Sequence, residues 1–147
     1  MPHELGLLVG ERYGLRGKTT RVAAGVSGST LWRIKSPQPA LVRVSEHFTL
    51  QHIVGVCDGV SRLARGLREV VAPLVAVDGQ MAFLWNNRPV SVWPFLPGQT
   101  LDRHDSGQVR RAARLLARLH QVMPEADAAG HDEDIPGADN AAAAATL

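Results

Sequence analysis

Between Thr20 and Phe95 the spacing of apolar residues switches from strand-like to helical and back, which excludes an all-helical or an all-strand fold. Thr20–Ala24 and Thr30–Lys35 carry strand-like patterns. They flank Gly25-Val26-Ser27-Gly28-Ser29, and together predict a β-hairpin. Ala40–Ser45 follows the Ser36-Pro37-Gln38-Pro39 connection and sets Arg43 among aliphatic residues, a third strand. From about Thr49 to Arg65, Leu50, Ile53, Val54, Cys57, Val60, Leu63 and Ala64 recur at helical spacing, although Gly55 and Gly59 each weaken a helix by up to ~1 kcal/mol. Val70–Val77, Met81–Trp85 and Pro89–Phe95, separated by the turn signals Asp78-Gly79 and Asn86-Asn87, then read as a three-strand meander. The sum is five or six strands with one inserted helix: an α+β fold whose antiparallel sheet has about five strands.

The flanks add helices. Leu5, Leu7, Leu8 and Val9 ahead of Gly14 and Gly17 suit a short helix over Glu4–Tyr13. Leu96-Pro97-Gly98 breaks the sheet, and Asp105 or Ser106 can cap a last helix with Val109, Ala112, Ala113, Leu115, Leu116 and Leu119 on its apolar face. Beyond Met123-Pro124 the chain is acidic and then alanine-rich, with little to bury, and is expected to be disordered. The expected division is a first unit over 1–98, an exit and helix over 99–123, and a tail over 124–147.

A chain of 147 residues with 45% hydrophobic composition supports one modest core. The formal charge of +2 comes from arginines spread along the sequence, which gives no continuous stripe for nucleic acid. The N-terminal Met-Pro-His-Glu has the wrong charge order for a signal peptide, and no apolar run approaches a membrane span. Cys57 is the single cysteine, so no internal disulfide forms; a reducing, cytoplasmic setting is expected.

The order of elements and several stretches of sequence resemble one family. Glu11-Arg12-Tyr13-Gly14-Leu15, the run Ala24–Ile34, and Val71-Ala72-Pro73-Leu74 with Asp78-Gly79 match in wording as well as order. So do Val92–Leu101, with its Pro-Gly break, and Ala112–His120, which ends in Leu-His. Over residues 4–123 the chain is similar to the N-terminal lobe of the aminoglycoside phosphotransferase and type II homoserine kinase superfamily, which has a protein-kinase-like fold.

The resemblance implies ATP with magnesium as cofactors, and transfer of the γ-phosphate to a hydroxyl on an antibiotic or metabolite. It assigns Gly25, Ser27, Gly28, Ser29 and Thr30 to a phosphate-covering turn, where glycine permits close backbone approach; a plain hairpin turn is the other reading. It places Arg43 where a cation, commonly lysine, meets the α- and β-phosphates; otherwise Arg43 is a solvated edge residue. No glutamate stands where the partner of that cation is expected, and Asp58 is the nearest acid. Trp93, Phe95 and Leu96 fall at the hinge holding the adenine, with Pro94 lacking an N–H; the two aromatic rings equally suit a core role.

Gly17-Lys18-Thr19 ends like a phosphate-binding loop, but Arg12 occupies the position of its first glycine. His131–Asn140 has a passing similarity to the family's catalytic loop, but Glu133 and Asp139 stand where aspartate and asparagine belong. No catalytic residue and no metal ligand is therefore assigned. The expectation is a nucleotide-binding lobe that stops before the catalytic loop, is inactive alone, and meets a small-molecule acceptor only if a C-terminal lobe is supplied. Apolar surface at Trp93, Phe95 and the last helix would favour self-association. The alternative is a non-catalytic interaction module that binds no ATP.

Overall fold

The computed structural model describes residues 1–22 and 28–123. Three helices and five strands follow one another as α1 (His3–Tyr13), β1 (Lys18–Val22), β2 (Ser29–Lys35), β3 (Ala40–Ser45), α2 (Leu50–Gly66), β4 (Ala82–Trp85), β5 (Arg88–Pro94) and α3 (Ser106–Val122). The sheet order is β1-β2-β3-β5-β4, and every neighbouring pair is antiparallel. Residues 23–27 of the expected hairpin, the end of its first strand and the start of its turn, and the whole tail over 124–147 lie outside the described residues.

Strand alternation sorts the side chains onto two faces. Ala40, Val42 and Val44 of β3 join Ile34, Val90 and Val92 beneath α1, whose Leu5 and Val9 are fully buried. The other face carries Leu41, Arg43 and Ser45 and lies under α2, where Ile53 and Cys57 pack with Ala82 and Trp93. Thr49 caps α2 by accepting from the His52 N–H, and Gly14 closes α1 in the left-handed region at φ 67°.

The meander has one strand fewer than the pattern predicts. Asn86 and Asn87 both take positive φ, 47° and 59°, as a two-residue hairpin between right-twisted strands requires, so β4 and β5 form as expected. Val70–Val77 does not join the ladder. Leu74 donates one bond to the Val92 carbonyl at 2.8 Å, Pro73 has no N–H to give, and Val75 and Val77 face solvent at 60% and 83% exposure. This segment instead ties to α1: Val77 N–H donates to the Arg12 carbonyl, and Arg12 Nη1 donates to Asp78 Oδ2 at 2.7 Å.

Asp105 caps α3, accepting from the Gly107 and Gln108 amides at 2.8 and 3.1 Å, which holds its carboxyl below the usual range. None of the residues of α3 is buried, and Val109, Leu115 and Leu116 are exposed. Its link to the body includes an Arg118 Nη1 to Glu69 Oε1 ion pair at 2.8 Å. Among the described residues, no helix is long and apolar enough to cross a membrane.

Candidate functional site

The α2-facing side of β3 gathers polar groups that a purely structural sheet face would not need. Register places Leu31 of β2 and Ser91 of β5 on either side of Arg43, and Ser29 beside Ser45. Arg43 Nε donates to Ser29 Oγ at 3.1 Å, so the cation is aimed along the row toward the β2 end that adjoins the glycine-containing turn. Ser45 is fully buried, and its hydroxyl has no partner among the described residues. A buried hydroxyl left unpaired marks a place where a polar ligand atom is favourable.

Arg43 has no carboxylate partner among the described residues. On α2, burial pushes the Cys57 thiol up to about 11, Asp58 adds to this, and the Arg43 charge opposes it. Asp58 itself forms no ion pair with Arg43, so the orienting group for this cation is a hydroxyl.

The turn residues divide. Gly28 sits at φ 63°, its carbonyl accepts from the Glu46 N–H at 2.8 Å, and any Cβ there would collide with the His47 ring. The dihedral therefore favours glycine, and any side chain there would also force the exposed His47 ring aside. Ser29 reaches Arg43, but Thr30 points to the opposite, α1 face, where its hydroxyl donates to Glu46 Oε1 at 3.4 Å. Its side chain is not assembled with the others. Gly25 and Ser27 lie outside the described residues.

At the far end of the same face, Trp93 packs into the cluster under α2 and donates from Nε1 to Ser91 Oγ at 2.9 Å, a core role for the indole. The Phe95 N–H donates to the Pro39 carbonyl at 2.8 Å and so is not free for a ligand. With Pro94 lacking an N–H, the amide left at this hinge is that of Leu96, which has no partner among the described residues and whose side chain is 61% exposed. The Phe95 ring is half-buried beneath the guanidinium of Arg33, whose Cζ lies 3.8 Å from the ring centroid.

Arg33 is the residue that the pattern of the sequence leaves unmarked. Its signal is parity: it shares a face with Ser29 and Leu31, whereas Trp32 and Ile34 pack toward α1. A separate cleft of about 270 Å³ between α1 and the β1 edge, lined by Met1, Leu7, Arg16, Thr19 and Ile34, contains none of these groups. Among the described residues no cluster of three or more His, Cys, Asp or Glu side chains could hold a metal ion.

Comparison with known proteins agrees with this architecture. The model of a family described as the phosphotransferase enzyme family matches residues 18–146. Among solved structures, an amicoumacin kinase, hAmiN, in complex with AMP-PNP, Ca2+ and Ami is similar at a TM-score of 0.70 and 16% identity, over 91% of this chain and 42% of that one. Spectinomycin phosphotransferase, APH(9)-Ia, in complex with ADP and spectinomycin is similar at 0.65 and 13% identity, over 83% of this chain and 38% of that one. Its AMP-bound complex gives 0.61 at 12% identity, over 81% and 37%. The chain thus spans about two fifths of the length of these proteins. No curated protein matches it in sequence. The five-stranded antiparallel sheet with its helices is the N-terminal lobe of a protein-kinase-like phosphotransferase fold.

Proposed function

This chain belongs to the phosphotransferase enzyme family, and from that premise we propose that its sheet and α2 form the nucleotide-binding lobe of a small-molecule phosphotransferase, with ATP as the first donor to test. The observation that carries the proposal is Arg43, held by Ser29 at 3.1 Å on the same face that ends at the free Leu96 amide. One end of that face offers a cation to phosphates and the other a backbone donor to a base, as a purine nucleotide requires.

Arg43 binds phosphate oxygens through its planar fork, and Ser29 fixes the direction of that fork without neutralising it. Magnesium is a poor fit to the described residues, because no cluster of carboxylates or imidazoles among them could hold it; it would be held by the phosphates and by groups outside this set. In this reading residues 1–98 are the lobe and 99–123 the exit and first helix of a second lobe. The 147 residues by themselves bind nucleotide without turning over.

Calorimetric titration of the chain with magnesium and a non-hydrolysable ATP analogue tests this, with Arg43→Ala as control. Saturable binding that the substitution abolishes is expected; a folded sample that binds no nucleotide would sink the proposal.

A second reading is favoured by α3, which exposes Val109, Leu115 and Leu116. It makes the chain an interaction module that self-associates through this helix. Light scattering showing dimers in a sample that ignores nucleotide is the outcome that selects it.

A further inference from the structure

Arg33 stands at the base end of the proposed nucleotide site, and nothing in the phosphate chemistry uses it. Register sets it across from Leu41, which lies across from Trp93, all on the α2-facing side of the sheet. Its guanidinium lies over the Phe95 ring at 3.8 Å, one residue from the Leu96 amide. The contact with the ring restrains the guanidinium and leaves its N–H groups to seek acceptors. They find none among the described residues: Nε is buried without a partner, and no side-chain hydrogen bond or ion pair involves the terminal nitrogens. A buried guanidinium donor without a partner favours a ligand that brings an acceptor.

The two purines differ at the edge such a fork would read. Guanine presents two adjacent acceptors, N7 and O6, which match two guanidinium N–H groups; adenine presents N7 beside the N6 amino donor, which opposes them. Stacking does not discriminate, and each base also has a donor for a hinge carbonyl. The Arg33 edge is therefore where selection arises. We infer that Arg33 makes this site prefer a guanine nucleotide over an adenine one. The inference rests on the nucleotide-lobe reading above and names the base that lobe selects.

The test is titration of the full chain with non-hydrolysable GTP and ATP analogues in magnesium, repeated with Arg33→Met and with a 7-deazaguanine analogue. Methionine keeps an unbranched apolar stem over Phe95, and circular dichroism checks the fold; the 7-deaza analogue removes N7 without touching the protein. The GTP analogue is expected to bind about tenfold tighter, with most of that difference erased by either change. Equal affinity, or tighter binding of the ATP analogue, overturns the base preference and leaves the nucleotide lobe standing. A folded chain that binds neither analogue overturns both.

Discussion

Arg43 of β3 is oriented by Ser29 of β2, Nε to Oγ at 3.1 Å, and by no carboxylate among the described residues. A hydroxyl directs a guanidinium but leaves its charge uncompensated, so the free site is electropositive before any ligand arrives. Ser29→Ala is expected to weaken binding of the ATP analogue about tenfold, the lower range for a hydrogen bond to a charged group. Arg43→Ala should abolish it. Equal affinities for Ser29→Ala and the parent chain would show that Ser29 does not position the cation.

Gly28 is held by two separable constraints, a left-handed dihedral and the His47 ring. Gly28→Ala should destabilise the chain by about 1–2 kcal/mol from the dihedral alone, with the collision adding to this. His47→Ala should recover the collision part and leave the rest. Urea denaturation of both single variants and the double variant measures the two contributions, and additivity would contradict the contact.

Helix α1 is amphipathic in a way that makes neighbouring leucines unequal. Leu5 is fully buried, whereas Leu7 is 61% exposed. Leu5→Ala is expected to cost about 2–5 kcal/mol and Leu7→Ala no more than about 0.5 kcal/mol. Comparable losses at the two positions, read from urea midpoints, would show that α1 is docked in another orientation.

Alkaline pH should destabilise this fold. Burial raises the Cys57 thiol from 9.0 to about 11 and the Tyr13 hydroxyl from 10.0 to about 12. Between each pair of values the unfolded chain has released a proton that the folded chain still holds, so stability falls as pH rises. The contribution is intact below about pH 9 and is lost through 11 to 12. Circular dichroism across pH 8–12 should show this decline, shallower in Cys57→Ala, and a thiol reagent at pH 8 should label the folded chain slowly. Rapid labelling would show Cys57 to be accessible.

Much of the scaffold is legible in the sequence. Ala40–Ser45 forms with the expected bounds because alternation, flanking prolines and aliphatic content all agree there. Thr49–Arg65 is helical with Thr49 as its cap, despite Gly55 and Gly59, because Ile53 and Cys57 bury against the sheet. Val70–Val77 looked equally strand-like, yet a ladder needs a free edge with donors in register. Only Leu74 meets one, beyond the end of β4.

What sequence alone determined is the set of local elements, the two faces of each strand, and the family resemblance carried by their order. Periodicity and turn chemistry act over a few residues, so they survive without tertiary context. What only the tertiary structure decided is who meets whom. Thr30 turned out to face α1, the Phe95 amide is taken by Pro39, and Arg33 lies over Phe95. These relations depend on strand register and on chain segments 16 to 62 positions apart. A shift of one residue in register would exchange the two faces, and no local pattern fixes which amide or cation is left free.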